Sequence, residues 1–361
     1  MENAKKILVC PLNWGLGHAT RCVPLIRCFL QEGKDVVIAA DGYPLQLLRD
    51  EFPQLTFVEF PSYKIRYGKG NSQIWAMLKY LPDIITGIFK EHQKLKKIVA
   101  GHNIDTVFSD NRFGLWHSKI RSIYMTHQLM IKMPKSLTVF EPLVAAFHRF
   151  FIKKYDLCLV PDEWENGGWA GDLTHKYALP ENVKFIGILS RFTSPPSPLS
   201  ILQLRSVTAK EGESLTDKCN SLPCEEGEVT DVNIFAVISG IEPQRSIFEN
   251  ILIDELSRKD FKSLIVSGLP KKEKTEKQIG NVKIVSHLSS GEMKYYLQNT
   301  PTVICRSGYS SVMDLAVLGR SAVLVPTPGQ TEQEYLGGYL SENKDFICVR
   351  QGNLRKFLAV I

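Results

Sequence analysis

The chain of 361 residues is long enough for two domains, because globular domains usually span about 100–200 residues. Its composition of 44% hydrophobic, 23% charged and 10% aromatic residues excludes a disordered, fibrous or disulfide-stabilised protein class. The formal net charge of +6 fits a small polyanionic ligand or an acidic membrane surface, and does not by itself indicate a nucleic acid partner.

Cysteine usage and the N-terminus both indicate an intracellular protein. None of the eight cysteines forms a C-x-x-C pair and most lie in apolar runs, as expected of buried, reduced thiols. The N-terminal residues lead directly into a strand and lack the apolar core of a signal peptide. Apolar stretches are shorter than the roughly 18–20 residues that span a bilayer. We therefore expect a cytoplasmic protein that is soluble or peripheral at the inner face of the membrane.

Apolar runs of strand length alternate with helical patterns from the first residues onward. Strands are predicted at Lys6–Pro11, Lys34–Ala40, Leu55–Phe60, Thr106–Ser109, Ser122–Met125 and Leu157–Val160. Helices are predicted at Thr20–Gln31, Tyr43–Glu51, Phe140–Tyr155 and, with a break or kink at Pro82, Gln73–Ala100. Buried strands that alternate with helices indicate a parallel sheet covered on both faces. Residues 1–190 are therefore expected to form one doubly wound α/β domain.

The composition changes near residue 190. Residues 191–231 are rich in Ser, Glu, Lys and Pro, which is typical of a linker or an insertion. The alternation then restarts, with strands predicted at Phe235–Ile238, Ser263–Val266, Val282–Val285, Thr302–Cys305 and Ala322–Val325, and helices at Gln244–Leu256, Gly291–Gln298 and Ser310–Leu318. Residues 232–361 are expected to form a second doubly wound domain, whose end leaves little chain for a closing helix. Open α/β sheets bind ligands beyond the carboxyl ends of their strands, so a ligand cleft is expected between the two sheets.

A glycine-rich turn follows the first strand, with the sequence N-W-G-L-G-H-A-T-R at residues 13–21. Gly15 and Gly17 let the backbone approach a ligand closely, and the next helix offers free N–H groups to an anion. A dinucleotide fingerprint requires a third glycine, so NAD and FAD are disfavoured. His18, at the predicted helix start, either faces the ligand or merely caps the helix, and the sequence leaves both open.

The second domain begins in a similar way. Its first strand ends at Ser239-Gly240, and Pro243 introduces the next helix. Arg245 in the first helical turn opposes the helix dipole, a cost that a bound diphosphate would offset. The alternative is a solvated surface arginine.

A more specific pattern lies near the C-terminus, where a strand meets the sequence R-S-G-Y-S at residues 306–310. The hydroxyls of Ser307 and Ser310 and the backbone at Gly308 can donate hydrogen bonds to phosphate oxygens. Asp314 in the following helix either accepts hydrogen bonds from ribose hydroxyls or compensates the helix dipole.

A rigid loop with the sequence P-T-P-G-Q-T-E-Q-E follows the next predicted strand, at residues 326–334. Gln330 lies within it, and a helix that opens with Gln333 and Glu334 can contact sugar hydroxyls.

The R-S-G turn, the next helix and strand, and the P-x-P-G-x-x-E-Q-E segment resemble the C-terminal donor domain of the lipid II N-acetylglucosaminyltransferase family, glycosyltransferase family 28. The G-L-G-H-A-T-R turn is similar to the glycine-rich acceptor-side loop of that family. The resemblance covers about residues 5–30 and 235–350. It implies a divergent member with the GT-B fold, in which two Rossmann-like doubly wound domains face each other across a cleft.

The resemblance implies roles for individual residues. His18 matches the proposed catalytic base, Asp314 stands at a ribose-binding glutamate, and Gln333 and Glu334 stand at paired glutamines near the donor sugar. Arg245 lies in the donor-phosphate loop. With the residues singled out above, the predicted donor-binding set is Gly240, Arg245, Arg306, Ser307, Gly308, Ser310, Asp314, Gln330, Gln333 and Glu334, and the predicted acceptor-side loop holds Gly15, Gly17, Thr20 and Arg21. This chain departs from the family in its S-G-I-E-P-Q-R loop, which replaces G-G-S-Q-G, and in the charge of Glu334.

The resemblance also implies the reaction, an inverting and metal-independent transfer of a sugar such as N-acetylglucosamine from a UDP-linked donor in cell envelope biosynthesis. The nucleotide-sugar is a co-substrate, so no cofactor and no metal are expected. The expected partners are this donor and a lipid-linked or small-molecule acceptor, not nucleic acid. Residues 128–154, rich in Met, Phe, Leu and Lys, either lie on a membrane or form a core-packing helix with a basic end.

Two other functions remain open. A nucleotide-sugar epimerase has the same two-domain plan, but is expected to show more acid/base candidates in its N-terminal turns. A non-catalytic nucleotide-sugar-binding protein would keep the donor motif without needing His18.

Overall fold

In a computed structural model the chain forms two compact units, one holding most of the described residues up to 193 and the other those from 230 onward. The structure describes residues 5–62, 73–193, 230–270 and 273–361, except for the side chains of residues 73–81 and 135. The linker predicted over residues 191–231 lies almost entirely outside the described residues.

The N-terminal domain is built on a seven-stranded parallel sheet, counted over its described residues. Its strands are β1 (Lys6–Pro11), β2 (Asp35–Ala40), β3 (Thr56–Glu59), β4 (Thr106–Asp110), β5 (Arg121–Met125), β6 (Leu157–Val160) and β7 (Val183–Phe185). Its helices are α1 (Leu16–Gln31), α2 (Gly42–Glu51), α3 (Gln73–His102), α4 (Glu141–Ile152) and α5 (Asp172–His175). The strand order β3-β2-β1-β4-β5-β6-β7 reverses direction at β1. In sheets of this kind ligands bind beyond the carboxyl ends of the strands at the reversal, which here are β1 and β4.

The central strands are apolar on both faces because helices cover both faces. Ile7 and Val9 of β1 pack in a core with α1 and α2, while Leu8 and Cys10 pack in a second core with α3. Side chains alternate between the two faces of a strand, so β1 can contribute to both cores only if its sequence is continuously apolar.

A buried ion pair anchors α3 to the sheet. Arg112, just after β4, lies 2.8 Å from the carboxylate of Glu91 on α3, and both side chains are almost fully buried. The same guanidinium donates to the carbonyl oxygens of Phe60 at 3.2 Å and Pro61 at 3.3 Å, just beyond β3. One side chain therefore fixes the segments that follow β3 and β4.

The C-terminal domain contains a second seven-stranded sheet, again counted over its described residues. Its strands are β8 (Ile234–Val237), β9 (Ser263–Val266), β10 (Glu276–Ile279), β11 (Val282–Val285), β12 (Thr302–Cys305), β13 (Val323–Leu324) and β14 (Ile347–Cys348). Its helices are α6 (Gln244–Leu256), α7 (Ser290–Asn299), α8 (Tyr309–Val317), α9 (Thr331–Asn343) and α10 (Leu354–Ala359). The order is β10-β11-β9-β8-β12-β13-β14, and all pairs except antiparallel β10–β11 are parallel.

The predicted class, two doubly wound α/β domains, is confirmed, while several boundaries differ. Helix α1 begins four residues before the predicted Thr20, and α3 continues through Pro82 without the predicted break. The sequence was expected to leave little chain for a C-terminal helix, but residues Leu354–Ala359 form the short helix α10. Within the described residues, no helix is both long enough and apolar enough to cross a bilayer.

Candidate active site

The glycine-rich turn and His18 lie where α1 leaves the carboxyl end of β1. Gly15 has φ of +116°, in the left-handed range that favours glycine, and α1 begins at the next residue. His18 therefore lies in the first turn of α1, with its side chain 13% exposed. Thr20 and Arg21, assigned to the acceptor-side loop, are buried on the inner side of the same helix.

A buried carboxylate, Asp110, binds the side chains of α1. It ends β4, the neighbour of β1 in the sheet, and is fully buried. Its Oδ2 lies 3.0 Å from Nδ1 of His18 and accepts from Nε of Arg21 at 2.9 Å. Nη2 of Arg21 also donates to Oδ1, which completes a bidentate pair. The turn after β1 and the end of β4 are thereby joined through one carboxylate.

The charge of Asp110 is set by these partners. Burial on its own would raise the pKa of this carboxyl group, but the Arg21 guanidinium and the hydrogen-bonded His18 outweigh burial and hold the pKa below its ordinary value. Asp110 is therefore ionised at neutral pH and balances the charge of Arg21 within the domain.

The tautomer of His18 follows from competition at its Nδ1 atom. Nη2 of Arg21 lies 2.9 Å from this nitrogen and is a donor, while Asp110 is an acceptor. An unprotonated Nδ1 would place its lone pair against the ionised Oδ2 of Asp110 at 3.0 Å, so we assign the proton of His18 to Nδ1. Nε2 is then left with a lone pair that can accept a proton.

A second histidine, His127, contacts the same arginine from the segment after β5. Its Nδ1 lies 2.7 Å from Nη1 of Arg21, and only 5% of the residue is exposed. Because Arg21 can only donate, Nδ1 of His127 must accept and its proton lies on Nε2. The two histidines thus present opposite tautomers on either side of one Arg–Asp pair.

Asp110 and His127 were not among the residues predicted from the sequence. Each follows or ends a buried strand of a parallel sheet, in the sequences S-D-N and T-H-Q. A search for polar residues at every strand's carboxyl end, and not at glycine turns alone, would have found both.

In the C-terminal domain three loops that hold predicted donor-binding residues meet at one edge of the sheet. They follow β8, β12 and β13, which are adjacent and parallel. Arg306, fully buried after β12, donates to the carbonyl oxygens of Gln244 at 2.8 Å, Val325 at 3.1 Å and Pro326 at 3.3 Å. Its guanidinium also lies 4.2 Å from the centre of the Phe248 ring. Arg306 therefore joins all three loops, which is a structural role.

Two more predicted donor residues hold the loop after β13. The side-chain oxygen of Gln333 accepts from the backbone N–H of Thr327 at 2.9 Å, and a Glu334 carboxylate oxygen accepts from that of Gly329 at 2.9 Å. The Ser307 hydroxyl donates to the backbone oxygen of Gln333 at 2.8 Å. This loop begins at Thr327 and ends at Gln330, just before α9. Hydrogen bonds to Gln333 and Glu334 hold it in place.

Arg245 makes contacts that the sequence did not predict. Its guanidinium lies 2.6 Å from a carboxylate oxygen of Glu242 and 3.0 Å from one of Glu249, and donates to the backbone oxygen of Ser267. These carboxylates raise the pKa of Arg245 although burial acts in the opposite direction. The argument that Arg245 needs a bound diphosphate to balance its charge is therefore wrong, and its place in the donor site stays a prediction.

The remaining predicted donor residues surround the turn after β12. Gly308 caps α8 without a side-chain hydrogen bond, Ser310 lies in the first turn of α8, and Asp314 is 6% exposed on its inner face.

Thr327 adds a group that sequence reasoning missed. Its hydroxyl is buried and has no hydrogen-bond partner among the described residues. A Cβ atom placed on Gly240, where φ is +106°, would lie 3.7 Å from this hydroxyl oxygen. A polar group without a partner thus lies beside the backbone of the turn after β8.

Comparison with known proteins agrees with this arrangement. Residues 244–358 match the family model described as the glycosyltransferase family 28 C-terminal domain. An uncharacterized glycosyltransferase of Methanosarcina acetivorans is 25% identical over 349 residues, which cover 91% of this chain and 81% of that protein. The UDP-N-acetylglucosamine--N-acetylmuramyl-(pentapeptide) pyrophosphoryl-undecaprenol N-acetylglucosamine transferase of Listeria welshimeri is 26% identical over 170 residues, which cover 45% of this chain and 44% of that enzyme.

Solved structures share the fold. The spinosyn rhamnosyltransferase SpnG superposes with a TM-score of 0.58 at 12% identity, over 98% of this chain and 91% of that chain. The glycotransferase of kitacinnamycin gives a TM-score of 0.57 at 13% identity, over 99% of this chain and 90% of that chain. The predicted resemblance to glycosyltransferase family 28 is confirmed in the C-terminal domain, and the chain is a glycosyltransferase of the GT-B type.

Replacement of Asp110 by Asn should destabilise the protein, because the buried charge of Arg21 then lacks its counter-charge. The expected loss in free energy of unfolding is about 3–5 kcal/mol at pH 7, measured by urea denaturation. Because the pKa of Asp110 is lowered by folding, its contribution is complete above the unfolded-state pKa and is lost as the pH falls through the folded-state value. The difference between the two proteins should therefore shrink only below pH about 3.9.

The matched control is Asp35→Asn, which removes an exposed carboxylate that ends 3.8 Å from Lys6 in the same sheet. It should change the free energy of unfolding by no more than about 0.5 kcal/mol. Equal effects of the two substitutions at pH 7 would contradict the central role given to Asp110.

Proposed function

We propose that this glycosyltransferase inverts the configuration of the sugar that it transfers and works without a metal ion. The donor is a UDP-linked sugar, with N-acetylglucosamine as the first candidate, and the acceptor is lipid-linked or a small molecule. The protein acts in the cytoplasm, at the inner face of the membrane. The observation that carries the proposal is the buried Asp110, which fixes His18 with Nε2 free to accept a proton.

His18 is the proposed general base. Its first-turn position at the carboxyl edge of the sheet, with 13% of its side chain exposed, leaves the ring accessible to a substrate hydroxyl. Nε2 takes the proton of the acceptor hydroxyl as that oxygen attacks the anomeric carbon, opposite the departing UDP. The imidazolium that results has Asp110 as its counter-charge, so Asp110 acts as a positioning residue for His18.

The proposed donor site lies in the loops that Arg306 joins. The first turn of α8, which has no side-chain cap, offers backbone N–H groups to the diphosphate, together with the hydroxyl of Thr327. We retain Asp314 as the candidate ribose-binding residue. No D-x-D sequence occurs in the chain, so the leaving group is stabilised by these donors and not by a metal held in such a motif.

The proposed membrane contact is the outer face of α4 and the turn before it. Leu143, Phe147 and Phe150 follow each other at helical spacing and are 69%, 40% and 57% exposed, and Val139 is 77% exposed. The amino group of Lys154 lies 4.5 Å from the ring of Phe150, at the basic end of the helix. A helix with exposed apolar residues and a basic end binds anionic membrane surfaces, where a lipid-linked acceptor would be found.

His18→Ala should lower the rate of sugar transfer by about 10²–10⁴-fold while nucleotide affinity stays unchanged. UDP release from a panel of UDP-sugars would be followed with a bacterial lipid extract as acceptor source, with and without EDTA. The control His102→Ala removes a histidine from the end of α3, far along the sequence from the site, and should leave the rate unchanged.

Each component of the proposal fails separately in this assay. Inactivation of the wild type by EDTA would contradict metal independence. Conversion of the UDP-sugar without any acceptor would identify an epimerase. Nucleotide binding without turnover would identify a binding protein.

Thr327→Val should weaken binding of UDP by about 10- to 100-fold, since a hydrogen bond to a charged group contributes about 1.5–3 kcal/mol. Without UDP the variant should be as stable as the wild type or more so, because a buried hydroxyl without a described partner is replaced by a methyl group. Thr300→Val is a matched control, since its buried hydroxyl also lacks a described partner but precedes β12, at the other end of that strand.

The control should retain full affinity for UDP in calorimetric titrations. A loss of stability without a loss of affinity in Thr327→Val would assign the hydroxyl a structural role and remove it from the donor site.

Phe150→Glu and Leu143→Glu should abolish co-sedimentation with vesicles that contain phosphatidylglycerol, since each adds a negative charge to the proposed membrane contact. Ile347→Glu, at a position that is 54% exposed in the other domain, is the control and should bind like the wild type. Failure of the wild type to bind these vesicles would contradict the membrane contact and favour a small-molecule acceptor.

A further inference from the structure

The loop after β6 exposes a tryptophan at the carboxyl edge of the N-terminal sheet. Trp164 is 53% exposed, and its ring packs 5.1 Å from the His175 ring at a tilt of 33° and 5.1 Å from the Phe185 ring at 70°. Nε2 of His175 also donates to the backbone oxygen of Trp164 at 3.0 Å. The ring is therefore held in place from one side, while much of its surface meets solvent.

A buried carboxylate holds the rest of this loop. Asp162 is fully buried and accepts from the backbone N–H groups of Glu163 at 2.9 Å, Trp169 at 2.8 Å and Ala170 at 3.1 Å. The hydroxyl of Thr174 donates to the same carboxylate at 3.1 Å. A hydrogen-bonded buried charge of this kind makes the loop a defined structure around Trp164.

The backbone of the loop departs from ordinary conformations. Asn166, Gly167, Gly168 and Gly171 all have positive φ, between 53° and 77°. A Cβ atom on Gly168 would lie 2.6 Å from a carboxylate oxygen of Asp162, so the backbone passes too close for any other residue. Glycine adopts positive φ readily and asparagine tolerates it, so these residue types let the chain follow this close path around Asp162.

Three polar residues adjoin Trp164 in the sequence of this loop. Glu163, Glu165 and Asn166 flank Trp164, and none of the three side chains has an ion pair or a hydrogen bond within the described part of the chain. Their carboxylate and amide groups can accept hydrogen bonds from hydroxyls on a ligand that stacks on the ring. Two unpaired carboxylates also repel phosphate and other anions.

We propose that Trp164 and its flanking residues Glu163, Glu165 and Asn166 form a binding platform for a neutral sugar of the acceptor. A pyranose ring stacks on the open face of the tryptophan through its C–H groups, and its hydroxyls donate to the carboxylates. Organic cations are usually bound by a cage of several aromatic rings, whereas this loop exposes a single ring, Trp164. A neutral sugar therefore fits the loop better than a cation. This inference rests on the proposed glycosyltransferase function, because it assigns the platform to the acceptor of that reaction.

The position of the platform fits a part of the acceptor that does not react. β6 lies three strands from β1 in the sheet, which at about 4.8 Å per strand is roughly 14 Å. An acceptor that reaches both His18 and Trp164 must therefore be larger than one monosaccharide. The platform therefore favours acceptors that are longer than one sugar and whose sugar farthest from the reacting hydroxyl is uncharged.

The test uses full-length protein labelled with 5-fluorotryptophan, whose Trp164 ¹⁹F resonance is assigned by its absence from Trp164→Phe. Cellobiose, maltose and N,N′-diacetylchitobiose are the neutral probes, and glucose 6-phosphate is the anionic probe. At least one neutral disaccharide should shift the Trp164 resonance saturably, and glucose 6-phosphate should bind more weakly. Absence of any saturable shift with the three disaccharides would overturn the proposal.

Variants separate the roles of ring and carboxylates. By titration calorimetry, Trp164→Ala should weaken disaccharide binding about three- to tenfold and Trp164→Phe should retain most of it. Glu163→Gln with Glu165→Gln should reduce the discrimination against glucose 6-phosphate. Tyr43→Ala, which removes an aromatic ring that is 49% exposed in the same domain, should change neither affinity. Equal binding by wild type and Trp164→Ala would place the sugar elsewhere.

Three further outcomes are decisive. A Trp164 shift caused by phosphatidylcholine vesicles and not by disaccharides would make this loop a membrane contact and overturn the platform. UDP titrations of the same sample separate the two proposals: UDP binding without disaccharide binding leaves the transferase proposal intact. Disaccharide binding without UDP binding leaves a carbohydrate-binding surface and removes its assignment to a transferase acceptor.

Discussion

Three buried guanidinium groups hold the loops at the carboxyl edges of the two sheets. Apolar packing cannot fix these loops, since their carbonyl oxygens need donors and the adjacent strands have ended. A guanidinium carries five N–H donors in one plane, which lets a single side chain satisfy several acceptors from different segments. Arg112 and Arg21 do this in the N-terminal domain and Arg306 does it in the C-terminal domain.

The three arginines differ in how their charge is balanced. Arg112 and Arg21 each face a buried acidic side chain, Glu91 and Asp110 respectively. The pKa of Asp110 is lowered by its partners, whereas burial raises the pKa of Glu91. Arg306 has no carboxylate partner among the described residues; it relies on carbonyl oxygens and the Phe248 ring, and burial lowers its pKa to about 9. Breaking a buried pair leaves one charge without compensation. The loops of the two domains are therefore rigid for the same geometric reason but at different electrostatic cost.

The sequence predicts the fold wherever burial on both faces makes a strand continuously apolar. β1, β4 and β12 were placed within about one residue for this reason. β10 was missed because its residues E-K-Q-I are mostly exposed, so its pairing with β11 leaves no apolar pattern. The four-residue α5 was missed because buried Asp162, and not helical periodicity, fixes its loop.

The candidate site was predictable only in part. Motif spacing found His18, but the residue that orients it, Asp110, lies 92 positions away and joins it through a strand pairing. Arg245 shows the opposite error, since reasoning from the helix dipole alone ignored Glu242 and Glu249, three positions before and four after it. Local sequence arguments fail at buried ionic groups because their partners are chosen by tertiary structure.

In the proposed reaction the two domains bind different substrates at the same edge of a parallel sheet. The proposed donor carries a nucleoside diphosphate, and three short loops tied by one arginine are available to bind it; the family 28 match covers the segment that holds most of them. Acceptors vary in size and polarity, and they need contacts away from the reacting hydroxyl. The loop around Trp164 and the outer face of α4 expose side chains that could supply such contacts, while Asp110 is fully buried. The separation of a rigid proton acceptor from variable surface contacts allows the acceptor to change while the chemistry stays the same.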